Sequence, residues 1–359
     1  IELVMKKIHL ATAIFLVFAV ISCSVSGRKY EGSFKEYVPL QADSIRIDQI
    51  IKVDSWTRAG DKAVVFSPLS ENVFYVYKLP EFSSLGQKGE GPGDFSDFMK
   101  FPDGNIMNND LYVYDIGSSQ GPVYVISLSD TSYTQKRISG IRKGFNYIVS
   151  DSVWISYISV SVDYADMSVK GRMSIWDGHG REIEKRQLLT HTGQFGFTYR
   201  DMQNKSGLIL RGDTYNKAGV TTNGKKLAVY YPDVFRMELY KLNPDGSLEF
   251  EKSYGETYTL DQLNGMDMEN RKKGEGLAML RSTDDYIYAF KYEYANNGDV
   301  REPVRSYLEI YDWEGQGIAK YDLGRYFDKY IVDENTCRIF CYHTGSDFDY
   351  VYVYEYGLP

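Results

Sequence analysis

Cysteine, histidine and basic clusters are scarce in this chain. Its 359 residues include three Cys and four His, and no run of Lys and Arg is longer than residues 271–273. The net charge is −8, so neither nucleic acid nor an anionic membrane surface is indicated as a partner. The sequence has no HExxH motif and no sustained helical period between its strand-like segments. These two features argue against a zinc-protease helix and against a parallel α/β sheet.

Apolar and aromatic residues, by contrast, are plentiful. Hydrophobic residues make up 43% of the chain, which excludes wholesale disorder. The 32 Tyr and 18 Phe occur largely in short alternating runs, a pattern typical of half-buried strands. We therefore expect most of these rings to pack within sheets. The alternative is that some form platforms that stack on sugars or peptides.

A strand–turn–strand unit recurs along the chain. Residues 308–323 (LEIYDWEGQGIAKYDL) contain an alternating strand, a Gly-rich reversal and a second strand. Similar units begin at residues 74, 123, 173 and 237, and a sixth, at residue 351, is cut off by the end of the chain. Each unit follows two further candidate strands. The first strand of each four-stranded repeat is predicted at residues 45–53, 98–107, 145–150, 207–212, 276–282 and 326–332.

Four strands in each of six repeats predict an all-β fold, a six-bladed β-propeller with four antiparallel strands per blade. The sixth repeat lacks its outermost strand, and the N-terminal region has one surplus candidate at residues 34–40. We expect this N-terminal strand to close the last blade, because closed β architectures avoid open edges.

Strand direction predicts which face carries function. In an antiparallel blade, the connections from strand 2 to strand 3 and from strand 4 to the next blade share one face, which we call face A; the opposite face is face B. Five of the six long connections are assigned to face A: residues 89–97, 160–172, 189–206, 255–275 and 295–305. The exception, residues 213–225, is assigned to face B. Long loops on one end of a rigid scaffold favour binding there, and tolerated insertion is the alternative.

The N-terminus has the pattern of an export signal. Lys6 and Lys7 precede the apolar residues 10–21, and Cys23 follows at the lipobox spacing. We expect residues 1–22 to be a lipoprotein signal peptide, Cys23 to be lipidated, residues 23–33 to be a tether and residues 34–359 to be the propeller. Ser24 then indicates an outer-membrane lipoprotein, on the periplasmic side or at the cell surface, held by its lipid alone. An ordinary signal peptide with a chance Cys is the alternative.

Cys337 and Cys341 are predicted to be core residues. They lie in one strand-like segment, where four residues span roughly 13 Å, too far for a disulfide. The same spacing argues against a metal cluster with His343. We expect no metal and no cofactor.

A family resemblance accompanies these patterns. The blade pattern and residues 85–95 (LGQKGEGPGDF) resemble the six-bladed TolB-like and NHL-type β-propeller lipoproteins of Bacteroidetes. The resemblance extends from about residue 34 to the end and implies a fold and a compartment. It does not imply one function, because members of such families bind diverse partners.

Two functions are compatible with these observations. The first is a binding or scaffold module for an unknown protein or glycan partner through face A. The second is an enzyme, a lyase or hydrolase, with its site in the central funnel. The candidate residues on face A are Tyr164, His191, Tyr199, Arg200, Arg301, Arg305 and His343.

Overall fold

The fold consists of β-strands. A computed structural model describes residues 37–47, 53, 55–67, 72–90, 102–107, 110–115, 123–127, 133–136, 145–150, 153–163, 168–177, 179, 181–188, 219–231, 236–254, 276–297, 300–345 and 349–358. Within those ranges there are 25 strands. None of the described residues belongs to a helix that is long and apolar enough to cross a membrane.

The strands form six sheets, numbered here in chain order. Two N-terminal strands, β1 (Val38–Pro39) and β2 (Ala42–Arg46), precede them. Sheet 1 contains β3 (Ser55–Ala59), β4 (Lys62–Phe66), β5 (Asn72–Lys78) and β6 (Ser83–Glu90). Sheet 2 contains β7 (Pro102–Met107), β8 (Asp110–Asp115), β9 (Val123–Ser127) and β10 (Tyr133–Lys136). Sheet 3 contains β11 (Phe145–Ser150), β12 (Val153–Asp163), β13 (Ser168–Asp177) and β14 (Glu182–Leu188).

The second half of the chain repeats this arrangement. Sheet 4 contains β15 (Gly219–Thr222), β16 (Lys226–Tyr231), β17 (Arg236–Leu242) and β18 (Leu248–Tyr254). Sheet 5 contains β19 (Gly276–Ser282), β20 (Tyr286–Asn297), β21 (Val300–Asp312) and β22 (Gly317–Asp322), with β1 added at its edge. Sheet 6 contains β23 (Lys329–Asp333), β24 (Arg338–Tyr342) and β25 (Tyr350–Glu355), with β2 added.

The first strands of the sheets form a closed ring. Each of β3, β7, β11, β15 and β19 lies against the first strand of the following sheet, and β23 lies against β3. The four strands that follow one another in each of the first four sheets pair as antiparallel neighbours. A ring of radially arranged antiparallel sheets is a β-propeller, so the prediction of an all-β propeller is confirmed.

Apolar side chains fill the spaces between neighbouring sheets. Because side chains alternate along a strand, sheet 5 packs one face against sheet 4 and the other against sheet 6. Tyr288 and Phe290 belong to the core shared with sheet 6, whereas Ile287 and Ala289 belong to the core shared with sheet 4. Many tyrosines are fully buried in these cores, as sheet packing predicts: Tyr230, Tyr231, Tyr288, Tyr311, Tyr330, Tyr342 and Tyr354.

The turns from strand 3 to strand 4 in sheets 3 and 5 share one construction. In sheet 3, one carboxylate oxygen of Asp177 accepts the backbone N–H groups two and four residues further on, at 2.9 Å each. Asp312 does the same in sheet 5, at 2.9 and 2.7 Å. A register shift next to the turn recurs in sheets 1, 3, 4 and 5. These short turns lie on face B.

Two predicted first strands are wrong. The first strand of sheet 1 is β3 rather than residues 45–53, of which Ile45 and Arg46 belong to β2. In sheet 4 the first strand is β15, within the predicted loop 213–225, and residues 207–212 lie outside the described ranges. The connection from strand 1 to strand 2 in sheet 4 is therefore the short turn at residues 223–225.

Sheet 6 takes its fourth strand from the N-terminal side of the chain. That strand is β2, which pairs antiparallel with β25 from Ala42↔Tyr354 to Arg46↔Tyr350. Residues 34–40, the predicted donor, were the wrong choice, because Val38 and Pro39 pair in parallel with β22 of sheet 5. Proline is tolerated there because the strand lies at a sheet edge. Residues 34–36 lie outside the described ranges.

Candidate functional site

Face A carries two long β-hairpins. The connections predicted as loops at residues 160–172 and 295–305 are mostly strand, because β12 pairs with β13 as far as Asp163↔Ser168 and β20 pairs with β21 as far as Asn297↔Val300. The four strands have 10 to 13 residues, against 2 to 8 in the other strands that form sheets 1 to 6. The hairpins therefore extend sheets 3 and 5 on this face.

An aromatic cluster lies where the hairpin of sheet 5 meets sheet 6. We call it the tyrosine–histidine group: Tyr292, Tyr294, Tyr326 and His343. The rings meet edge to face, with centroid distances of 4.9 Å for Tyr292–Tyr294, 5.7 Å for Tyr292–Tyr326 and 5.3 Å for Tyr326–His343. The hydroxyls of Tyr292 and Tyr294 are 2.8 Å apart and share a hydrogen bond. Tyr292 is buried, and the other three side chains are half-buried.

The chain places these side chains by simple local rules. Tyr292 and Tyr294 are two residues apart on β20 and so point to one side of the sheet, the side facing sheet 6. Tyr326 lies in the connection from β22 to β23, after Gly324, whose φ of 76° suits glycine. His343 follows directly after β24. Both of these connections lie on face A.

Hydrogen bonds hold Asp328 and His343 at the edge of the group. The Asp328 carboxylate accepts the backbone N–H of Thr344 at 2.8 Å and also its hydroxyl. The backbone N–H of Gly345 donates to His343 Nδ1 at 2.8 Å, so in the neutral imidazole the proton is on Nε2. Lys329 Nζ lies 3.6 Å from the Asp328 carboxylate and balances its charge.

Two polar atoms in the group are available for a ligand. Among the described residues, none forms a hydrogen bond with the Tyr326 hydroxyl or with His343 Nε2. Burial, followed by the charge of Asp328, raises the pKa of Tyr326 to about 12, so its hydroxyl keeps its proton at neutral pH. Both groups can therefore donate a hydrogen bond.

Arg305 lies on the other side of sheet 5. It is paired across the strands with Glu293, whereas Tyr292 is paired with Ser306, so Arg305 and Tyr292 point to opposite faces. The Arg305 guanidinium binds the Asp322 carboxylate at 2.7 and 2.8 Å. Arg305 is thus engaged in a structural ion pair and does not face the tyrosine–histidine group.

The structure describes only some of the predicted face-A residues. Tyr164, His191, Tyr199 and Arg200 lie outside the described ranges, as does the predicted lipidation site Cys23. Arg301 is part of β21, and its side chain is not among the described ones. Sequence reasoning did not single out Tyr292, Tyr294, Tyr326 or Asp328. The alternating tyrosines in YEYANN were a signal, but we interpreted them as core.

A charged pair joins the first strands of sheets 1 and 6. Arg58 of β3 and Asp333 of β23 lie 2.8 Å apart, and the Asp333 side chain is 4% exposed. Thr336 also donates to Asp333, at 2.7 Å. This ion pair connects sheet 1 to sheet 6. Within the described ranges, no group of three or more His, Cys, Asp or Glu side chains is arranged to hold a metal ion.

The two C-terminal cysteines are free and have different surroundings. Cys341 is fully buried in the core between sheets 5 and 6, as predicted, and burial raises the pKa of its thiol. Cys337 lies in the turn before β24 rather than in the strand, with a φ of 51°, and is only partly buried. The two side chains are therefore not equivalent positions of one strand, contrary to the prediction.

The chain is similar to several solved structures at very low sequence identity. One is a putative exported protein from Bacteroides fragilis, with 12% identity, a TM-score of 0.49, and coverage of 88% of this chain and 94% of that one. Another is regucalcin from Agrobacterium tumefaciens, a calcium-binding protein, with 11% identity, a TM-score of 0.46, and coverage of 91% and 99%. A third is a gluconolactonase from Xanthomonas campestris, with 9% identity, a TM-score of 0.44, and coverage of 89% and 91%.

No protein-family model matches the chain, and no curated protein matches it. The three solved structures have TM-scores below 0.5 and identities of 9 to 12%, so no conclusion about this chain is drawn from them. The propeller assignment therefore depends on the strand pairing and on the ring of first strands.

Proposed function

We propose that this chain is a six-bladed propeller that acts as a recognition module, binding a protein or glycan partner through face A. The blade count is supported by six sheets whose first strands follow one another around the ring. The observation that carries the binding role is the tyrosine–histidine group. It places half-buried rings and two available hydrogen-bond donors on the face that also carries the extended hairpins. Convergent aromatic and polar groups are the usual composition of binding sites.

The cellular location, a lipid-anchored position in the envelope, belongs to the same proposal. Cys23 after an apolar export signal supports a lipid-anchored envelope protein, and the resemblance to TolB-like and NHL-type lipoproteins of Bacteroidetes supports the same compartment. In the funnel, an enzyme would need ionisable groups that are not already neutralised by one another. Arg58 and Asp333, on the first strands of sheets 1 and 6, bind each other, so this pair gives no support to a catalytic site.

Site-specific cross-linking in native envelopes tests the recognition role. A photo-reactive amino acid replaces Glu302, an exposed residue in the face-A hairpin of sheet 5, and in a second variant replaces Lys225, an exposed residue in a face-B turn. We expect the residue-302 variant to form adducts that the residue-225 variant does not form. Equal labelling from both positions, or from neither, contradicts binding through face A.

A further inference from the structure

We infer that the tyrosine–histidine group is a carbohydrate subsite that takes the ring of a neutral sugar. This inference rests on the proposed function, because it names the ligand class of the same face. The ring arrangement, the unpaired donors and the local charge each support it.

The aromatic rings provide a rigid surface. Tyr292 is buried beneath the group and fixes both neighbours, Tyr294 through the hydroxyl contact of 2.8 Å and Tyr326 through the ring contact of 5.7 Å. The face of an aromatic ring carries partial negative charge, and the C–H bonds of a sugar ring present partial positive charge to it. Because these side chains are already ordered, little conformational entropy is lost when a ligand binds.

The polar atoms suit a ligand with many hydroxyl groups. The Tyr326 hydroxyl and His343 Nε2 can donate, and the Asp328 carboxylate, beside them, can accept. Among the described residues, neither the Tyr326 hydroxyl nor His343 Nε2 has a hydrogen-bond partner, and a hydroxylated ring can pair with both of them. An apolar peptide anchor would leave those polar atoms desolvated and unpaired, which is costly.

The charges favour a neutral sugar over an acidic one. Among the described side chains at the edge of the group, Lys329 offsets the charge of Asp328 at 3.6 Å and leaves no excess of positive charge to attract a carboxylated or sulfated ring. Arg305, which could have supplied such a charge, points to the other side of sheet 5 and binds Asp322. The ligand class is therefore a neutral oligosaccharide.

Titration calorimetry with defined sugars tests the subsite. The full chain is titrated with cello-, xylo-, manno-, galacto- and malto-oligosaccharides of six units, and with oligogalacturonate as an acidic comparison. We expect at least one neutral oligosaccharide to bind, and oligogalacturonate to bind at least tenfold more weakly. Binding of none of the neutral sugars, or a preference for oligogalacturonate, overturns the inference.

Three variants locate the binding in the structure. Tyr326→Phe keeps the ring and removes the hydroxyl, and we expect affinity to fall about fivefold, the loss of one hydrogen bond. Tyr294→Ala removes a ring, and we expect a loss of more than tenfold. Phe250→Ala is the control, because Phe250 is an exposed ring on the outer strand of sheet 4. Affinity unchanged in both tyrosine variants overturns the assignment.

The cross-linking and calorimetry results together distinguish a failure of this inference from a failure of the proposed function. If the variant labelled at residue 302 captures a protein while no neutral sugar binds, recognition through face A stands and the carbohydrate subsite is wrong. If neither experiment gives a signal, both are wrong.

Discussion

One buried ion pair shows how single residues specify this fold. Lys291 and Glu309, on neighbouring strands of sheet 5, lie 3.2 Å apart with side chains 1% and 6% exposed. The hydroxyls of Tyr37, Tyr230 and Tyr311 donate to the same carboxylate at 3.1, 3.1 and 2.6 Å. Burial acts to raise the pKa of Glu309, but the Lys291 charge, the hydrogen bond from Tyr311 and the Lys320 charge outweigh it, so the pKa is lowered. The carboxylate thereby connects sheet 5 to sheet 4 and to the N-terminal segment.

Replacing Glu309 with Gln tests this network. The substitution leaves the Lys291 ammonium buried without a counter-ion, and we expect a loss of about 3–5 kcal/mol in the free energy of unfolding. The double variant Lys291→Met, Glu309→Gln also removes the unpaired Lys291 charge and is expected to recover part of that loss. Urea unfolding of the two single variants and the double variant measures the coupling. Strictly additive effects would mean that the two charges do not stabilise each other.

At the scale of elements, the N-terminal segment connects two sheets. The Tyr37 ring packs against the Tyr307 ring of sheet 5 at a tilt of 37°, with centroids 4.4 Å apart. Lys320 Nζ lies 3.9 Å from the centre of the Tyr37 ring. The chain then forms β1 on sheet 5 and β2 on sheet 6. Without β2, the edge of β25 would be unpaired, and an open edge favours aggregation.

N-terminal truncation separates these contributions. A chain that begins at Tyr37 retains the ring contacts, β1 and β2, so we expect its urea midpoint to match that of the chain without residues 1–22. A chain that begins at residue 48 loses all of them, and we expect its free energy of unfolding to fall by more than about 3 kcal/mol. Size-exclusion chromatography should also show association through the exposed edge of β25. A monomeric and equally stable shorter chain would show that β2 is dispensable.

The sequence predicts some elements much better than others. The alternating runs at residues 145–150 and 276–282 match β11 and β19, because both have the period of a strand and clear boundaries. The short β15 (GVTT) has no such pattern. Close packing favours Gly219, since an added Cβ would lie 2.8 Å from Leu280 Cβ, which cannot move without its backbone. That constraint comes from the neighbouring sheet and cannot be seen in local sequence.

The candidate site was predictable only in part. Strand direction placed His343 on face A, where the structure also has it. Alternation on β20 indicates that Tyr292 and Tyr294 share a side, but buried and ligand-facing tyrosines have the same period. Tyr326 joins them only through the packing of sheet 5 against sheet 6. A long-range contact of this kind leaves no signal in a single sequence.

At the scale of the whole molecule, carboxylates connect successive sheets. In the described part of the ring, the junctions between sheets 3 and 4, 4 and 5, 5 and 6, and 6 and 1 each have an acidic side chain. That side chain accepts a hydrogen bond from the neighbouring sheet or forms an ion pair with it. The contacts, in ring order, are Glu184 with the Leu248 N–H at 2.8 Å, Glu314 with Lys226 at 2.9 Å, Glu334 with Thr283 at 2.7 Å, and Asp333 with Arg58 at 2.8 Å. Hydrogen bonds to charged groups are stronger than neutral ones, and solvent screening reduces the contribution of the exposed Lys226–Glu314 pair.

This arrangement predicts instability of the ring in acid. The pKa of Glu314 is lowered, first by its hydrogen bond from Lys226, and that of Glu309 is lowered as described above. A carboxyl group whose pKa is lower in the folded state stabilises the fold above its unfolded pKa, 4.5 for Glu, and the stabilisation is lost as pH falls through the folded value. The free energy of unfolding should therefore change little between pH 7 and about pH 5 and decline below that.

Urea unfolding at pH 7, 5, 4 and 3, followed by far- and near-ultraviolet circular dichroism, measures this decline. Glu309→Gln cannot take up a proton at that position, so its free energy of unfolding should fall less steeply between pH 5 and pH 3 than that of the unsubstituted chain. Phe250→Ala, which changes no charge, should keep the original slope. Parallel slopes for all three proteins would show that the Glu309 junction does not contribute to acid sensitivity.

Because the sheets form a closed ring, both spectral probes should report a single transition; separate transitions would indicate that the sheets unfold independently.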